Sequence, residues 1–197
     1  MRKIIVSEFL TLDGVMQAPG SPDEDRSGGF EHGGWQLPYF DDIFAKAIIE
    51  GLTVAGGFVL GRKTYEIFAS YWPTAPAEEQ AFAGPLNNLP KFVVSKTLRE
   101  PLAWKNSTLI AGDVVKEVAK LKQQAGNDLR VIGSGELVQT LMKHDLVDEY
   151  DLMIHPLVLG SGKHLFREGS IKQTLKLLDF KTSSKGVMKL KYETEKK

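Results

Sequence analysis

Short apolar runs alternate along the chain with longer stretches in which apolar residues return every third or fourth position. The first run, KIIVSEFL at 3–10, predicts a strand. In YFDDIFAKAIIEG at 39–51, Phe40, Ile43, Phe44, Ala47 and Ile48 share one helical face, and Gly51 ends it. Phe58, Val59 and Leu60 form a short buried run, beyond which Tyr65, Phe68 and Ala69 recur at helical spacing. Residues 91–95 and 107–111 predict two further strands, and 113–125 a helix with Asp113 as its N-cap. Leu129, Val131 and Ile132 then predict a strand, Gly133-Ser134-Gly135 a tight turn, and Leu137, Val138 and Leu141 a helical face. The chain closes with two alternating runs around Ser184, Lys185 and Gly186, the pattern of a β-hairpin. Strands alternating with helices predict an α/β sheet protein. No repeat or low-complexity linker interrupts the order, so residues 1–197 are expected to form a single domain.

Composition changes this picture mainly by exclusion. Basic and acidic residues number 25 each, so no global field favours nucleic acid or an anionic membrane, and an anion site must be local. The absence of cysteine excludes disulfides, thiolate metal sites and a cysteine nucleophile. No segment has the length of a membrane span, and Glu8 and Asp13 interrupt the first apolar run too early for a secretory signal. A cytoplasmic protein without membrane or nucleic-acid partners is the expectation. His32, His144, His155 and His164 are scattered without metal-ligand spacing, so no metal is expected, and His155 in an apolar strand reads as structural.

Two junctions carry candidate chemistry. In FVLGRKTYE, a buried run ends at Gly61-Arg62-Lys63-Thr64, which sets two cations at a helix start where the macrodipole is already positive. An anion sharing the site would remove that conflict. The second junction, RVIGSGELV, has the order strand, glycines, helix that lets a ligand approach backbone N–H groups. Each has a plainer alternative: glycine satisfying a positive φ, and solvated surface cations, Lys63 above all. Two such junctions in one chain favour a ligand with several phosphates. The Gly/Pro/Asp-rich segment 15–38 is too long for a simple connector and reads as a functional or mobile loop.

WQLPYFDD, FVLGRKTYE, LPKFVVSKTL and RVIGSGELV, in this order, resemble the motifs of dihydrofolate reductases. TLDG at 11–14 and LVDEYDLMIHPLVLGSG at 146–162 are more similar to the C-terminal reductase domain of bifunctional riboflavin-biosynthesis deaminase-reductases. Together these motifs span nearly the whole chain. The shared fold is a mixed, mostly parallel central sheet flanked by helices, here with a C-terminal β-hairpin. The resemblance implies NADPH as cofactor, with Gly61, Arg62, Lys63 and Thr64 on its phosphates and Ser95 and Lys96 on the adenosine 2′-phosphate. Ile132, Gly133, Ser134, Gly135 and Glu136 would cradle the pyrophosphate and the nicotinamide side. For Ser95 the plainer alternative is a turn cap.

For the substrate end, the resemblance offers two acids. The folate enzymes place a carboxylate two residues after the proline of Trp-x-Leu-Pro, a position that is Phe40 here, with Asp41 and Asp42 adjacent. First-turn helix acids are the equally weighted alternative for both. Asp13 matches the Ser/Thr-Leu-Asp-Gly motif of the riboflavin reductases, against a simple Asp-Gly turn. Trp35, Tyr39 and Phe40 read as an aromatic wall for a flat heterocycle, or as core. The expected activity is hydride transfer to a pyrimidine- or pteridine-type small molecule, most like 5-amino-6-(5-phosphoribosylamino)uracil reductase. Dihydrofolate reduction is the enzymatic alternative, and a non-catalytic NADPH sensor the alternative of another class. By analogy, a homodimer is expected.

Overall fold

In the computed structural model, which describes residues 1–195, eight strands form one sheet in the order β4-β3-β2-β5-β1-β6-β8-β7. They are β1 (Ile4–Thr11), β2 (Gly57–Gly61), β3 (Lys91–Val94), β4 (Ser107–Ile110), β5 (Leu129–Ile132), β6 (Glu149–His155), β7 (Leu175–Thr182) and β8 (Met188–Thr194). β1 to β6 run parallel, whereas β8 is antiparallel to β6 and β7 to β8, so the expected mixed sheet with a C-terminal hairpin is what forms.

Helices α1 (Asp42–Thr53), α2 (Arg62–Tyr71), α3 (Gln80–Asn88), α4 (Val114–Gln123) and α5 (Gly135–Lys143) supply the crossovers. Side-chain alternation assigns them to opposite faces. Phe58, Leu60 and Val93 pack with Leu52, Tyr65 and Leu86 of α1, α2 and α3. Ile4, Val6, Val59 and Val131 pack with Val118 and Leu121 of α4 and Leu137, Val138 and Leu141 of α5. Each such side chain taken fully out of water contributes about 1.5–3 kcal/mol, and the two cores hold the sheet between them.

One boundary and one element differ from the sequence expectation. The helix expected over 39–51 starts at Asp42, because Pro38 lies in a short 3-10 turn at Leu37–Tyr39 and Asp41 is extended and caps the helix, accepting the Phe44 N–H at 2.7 Å. Helix α3 was not legible: it is short and contains Pro85. Asp113 caps α4 as its position suggests, accepting the Lys116 N–H.

Candidate functional site

The carboxyl edge of the sheet gathers the sequence candidates, and its shape follows from strand lengths. β5 pairs with β1 only from Ile4↔Leu129 to Ser7↔Ile132, while β1 continues beside β6 as far as Thr11↔His155. On its other side β5 pairs with β2 up to Val59↔Val131, and β2 runs on through Leu60 to Gly61 beside β3. β5 thus stops short of both neighbours, leaving a notch floored by the turn at Gly133-Ser134-Gly135. The chain leaves β1 towards β2 on one side and β5 towards β6 on the other, so the notch lies at the switch point where open α/β sheets take ligands.

The two glycine junctions meet on this floor. The Gly61 N–H donates to Ser134 Oγ at 2.8 Å, and the Ser134 N–H donates to Thr64 Oγ1 at 3.0 Å. Gly133 and Ser134 both have left-handed φ, 56° and 62°. A Cβ on Gly133 would lie 2.9 Å from Thr64 Oγ1, so the close approach of the turns needs glycine there. Neither α2 nor α5 has a side-chain N-cap hydrogen bond, so first-turn N–H groups of both helices face the carboxyl edge without a cap. Ile132, just before the turn, packs against the α1–α3 core.

The cations and the hydroxyl are arranged differently from the expectation. Arg62 has a local partner in Glu66 at 3.0 Å, so it does not lack a counter-charge. Lys63 is exposed and makes no ion pair among the described residues; the same is true of Lys96. β3 lies beside β2 with Gly61↔Val94 in register, which brings Ser95 and Lys96 next to the start of α2. Ser95 is buried, and its Oγ accepts the Thr97 and Leu98 N–H groups at 3.1 and 3.0 Å, the turn cap of the plainer alternative. Glu136 is exposed and pairs with Arg167 at 2.6 Å, and the Arg167 guanidinium lies 3.3 Å from where a Gly135 Cβ would sit. The sequence reading missed Arg167, which comes from a loop with no periodic signal.

The three aspartates occupy three different settings. Partial burial pushes the Asp13 carboxyl up, but the Thr11 hydroxyl at 2.5 Å and the Gly160 and Leu159 amides outweigh it, leaving the group below its usual value. Asp13 therefore stands as a carboxylate that pins the loop after β6 to the end of β1. Asp41 is held at the helix start: besides capping α1 it accepts from the Ser184 hydroxyl at 2.6 Å and the Lys185 N–H, contacts that hold it down to about 2. A carboxyl so committed fastens α1 to the β7–β8 turn. Because its folded value is depressed from 3.8, its contribution to stability is fully present above that pH and is lost as pH falls towards 2. Asp41→Asn is expected to flatten the acid limb of an unfolding titration over that range; an unchanged limb would reject the fastener. Asp42 is exposed in the first turn of α1, as its plainer alternative has it.

The three aromatic residues divide between the two readings, wall and core. Trp35 is buried, and its indole N–H donates to the Gln17 carbonyl at 2.7 Å. Its ring stands edge-on to His155 at 5.0 Å, and Tyr39, Phe44 and Phe9 pack around the same imidazole at 5.9, 5.3 and 6.0 Å. Trp35 is thus a core residue that fastens the long loop to β6. Tyr39 is half-buried, while Phe40 is exposed and edge-on to Phe44 at 5.5 Å. Nδ1 of His155 lies 3.0 Å from the Met153 carbonyl and 3.2 Å from that of Leu10, so Nδ1 carries the hydrogen. Burial lowers its basicity, against those two carbonyls, and the neutral ring completes the packing.

One ionisable residue at the notch was not singled out from sequence. Glu8 sits in β1 one position beyond the last residue paired to β5, beside Leu152 of β6, and is 5% exposed. Burial pushes its carboxyl well above the ordinary range, opposed by the Gly133 amide, and Oε1 has no hydrogen-bond partner among the described residues. The available signal was an acidic residue on the inward side of the alternation Ile4, Val6, Glu8, Leu10.

Fold and notch define an α/β domain of the reductase type, with the notch at the carboxyl edge of a mostly parallel sheet. The chain belongs to the RibD C-terminal domain family, whose model matches residues 2–189. It is 30% identical over 193 residues to the uncharacterised protein YyaP of Bacillus subtilis strain 168, covering 97% of this chain and 94% of that one. A second B. subtilis protein, the uncharacterised YwjB, is 31% identical over 124 residues, 60% of this chain and 63% of its own. Among solved structures, a Shewanella sp. PV-4 protein whose name refers to riboflavin biosynthesis superposes with a TM-score of 0.69 at 22% identity, covering 98% of this chain and 99% of that one. A pyrimidine reductase-like protein of Corynebacterium diphtheriae gives 0.68 at 13% identity, with 100% and 93% covered. At those identities the superpositions speak to fold. Among the described residues no helix is long and apolar enough to cross a membrane, and no group of three or more His, Cys, Asp or Glu is placed to hold a metal ion.

Proposed function

We propose that the chain is a single reductase domain over residues 1–197 that binds NADPH across the notch and reduces a C=N or masked carbonyl of a pyrimidine- or pteridine-type small molecule. The observation that carries this reading is the joining of two uncapped helix N-termini by the Gly61–Ser134 and Ser134–Thr64 hydrogen bonds. Backbone donors at Arg62–Thr64 and Gly135–Glu136, with Lys63 beside them, fit a pyrophosphate. Lys96 and the Ser95 turn, one strand over, fit an additional phosphate and so favour NADPH over NADH. Bound there, the nicotinamide supplies the hydride, and the chain supplies position and electrostatics. Tyr39 and Phe40 offer ring surface to a flat substrate, and Asp13 sets the loop that borders it.

Membership of the RibD C-terminal domain family favours the riboflavin-type reduction of 5-amino-6-(5-phosphoribosylamino)uracil over dihydrofolate reduction. The same reading takes the protein as cytoplasmic and homodimeric. β7 supports the second copy: it is exposed along nearly its whole length, yet carries Leu177, Leu178 and Phe180 at 48%, 42% and 67% exposure.

The test is NADPH oxidation by the purified protein with the ribosylaminouracil phosphate and dihydrofolate side by side, NADH as control, and sedimentation of the same preparation. Turnover with the first substrate and a sedimenting dimer are expected. Cofactor binding without turnover on either substrate would leave the sensor reading. No NADPH binding would overturn the site, and a monomer at assay concentration would overturn the dimer.

A further inference from the structure

Glu8 is a polar group that the fold spends free energy to keep. Its side chain points to the same face as Val6 and Leu10, into the cluster built with Met16, Leu137 and Leu165. An apolar residue there would continue the pattern. The charged residues on the elements packed against this face are Glu136 and Lys143 of α5, Lys116, Glu117, Lys120 and Lys122 of α4, and Arg167 of the loop after β6; Glu136 pairs with Arg167, Glu117 with Lys120, Lys116 with Asp113 and Lys122 with Asp148. Arg130, Glu149 and Asp151 project from the opposite face, where Arg130 meets Ser7 and Asp151. No cation therefore pairs with Glu8. The carboxyl stands where β5 has ended, beside the amide of Gly133, with one oxygen free of partners. A partnerless buried polar group is costly, and such groups in native proteins point to a role.

We propose that Glu8 is the proton-bearing catalytic residue of this site, giving its proton to the nitrogen or oxygen of the substrate double bond as the adjacent carbon receives hydride. This rests on the reductase reading above. In the step, the π bond of C=N or C=O breaks, a C–H bond forms with the two electrons of the hydride, and an N–H or O–H bond forms with the Glu8 proton. The nicotinamide is oxidised and the substrate reduced, Glu8 is left as a carboxylate, and water restores its proton. Two features make the carboxyl able to cycle. The apolar cluster favours the protonated form, and the Gly133 amide and the N-terminal end of α5 support the anion once the proton has left. Asp13 and Asp41, each already accepting from several donors, are less suited to hold a proton for delivery.

The experiment pairs Glu8→Gln, which keeps the shape, with Glu8→Leu, which removes the unpartnered polar group and folds even if the glutamine variant does not. Both are expected to lose turnover by about 100-fold or more, the range of a general acid, with NADPH affinity within about twofold of wild type. The wild-type rate is expected to fall as pH rises through the Glu8 titration, since only the protonated form donates, and that basic limb disappears in both variants. Infrared difference spectra of the ligand-free protein at neutral pH give a readout apart from turnover: a protonated-carboxyl band present in wild type and absent in both variants. An active wild type with an indifferent Glu8→Gln overturns the Glu8 assignment alone, as does the lack of that band. A wild type that binds no NADPH and reduces neither substrate overturns the reductase reading, and the proposal with it.

Discussion

Replacing Asp151 by alanine is expected to cost about 3–5 kcal/mol of unfolding free energy, the range for breaking a buried ion pair from one side. Asp151 of β6 accepts from Arg130 of β5 at 2.9 Å, and the two side chains are only 6% and 11% exposed. Arg130 also donates to Ser7 of β1 at 2.6 Å, and Lys189 of β8 approaches the second Asp151 oxygen at 3.5 Å. The guanidinium is roofed by α1, lying 3.1 Å from where a Gly51 Cβ would sit. Without Asp151, the largely buried Arg130 guanidinium loses its carboxylate and is left with the Ser7 hydroxyl. The pair is not thereby shown to be stabilising, because well-packed apolar residues can replace both charges at little cost. Arg130→Met with Asp151→Leu is therefore expected to recover most of the loss, and urea unfolding of the three variants measures it. A loss below about 1 kcal/mol for Asp151→Ala would mean that the pair is more hydrated than its burial implies. The ladder also bears on the site, since it joins β5, β1 and β6, the strands whose unequal lengths make the notch.

Which of these features could be read from sequence depends on whether the cause was local. Strand and helix periodicity, the Asp113 cap and the two glycine junctions are set by neighbouring residues, and the sheet follows from their order. The joining of the junctions was only implied, because the Ser134–Gly61 and Ser134–Thr64 contacts span 73 and 70 residues. The aspartates show the opposite case. TLDG and FDD both lie at the carboxyl edge, but whether a carboxyl there is free or committed depends on distant partners: Gly160 for Asp13, and Ser184 for Asp41. Sequence leaves Trp35 between wall and core for the same reason, since the Gln17 carbonyl and the His155 ring that it packs against are visible only in three dimensions. Glu8 counts in the sequence reading only as an interruption that rules out a secretory signal, whereas in the fold it is the polar exception inside a buried strand. A strand buried on both faces has no outward side for such a residue, and that argument was available from the alternation alone.

Gly133→Ala is expected to weaken NADPH binding by at least about tenfold while leaving the rest of the fold in place. Two effects add. The residue has φ 56°, where a Cβ costs roughly 1–2 kcal/mol. The new methyl would also meet Thr64 Oγ1 at 2.9 Å and Cγ2 at 3.2 Å, and Thr64 belongs to the first turn of α2. Relief by moving Thr64 breaks the hydrogen bond from the Ser134 N–H, which is one of the two bonds that keep the helix N-termini together. A general loss of stability would affect binding through the folded fraction only, so calorimetric titration well below the unfolding temperature separates the two. Thr64→Ala supplies the sharper test. On the wild-type turn it removes an acceptor and weakens binding, but on the alanine turn it also removes the atoms in the way. The two substitutions are therefore expected to combine to less than the sum of their separate losses, by a coupling of about 0.5–3 kcal/mol. Strict additivity would mean that the turns do not act on the ligand as one unit, and the phosphate cradle would then have to be sought at α2 or α5 alone.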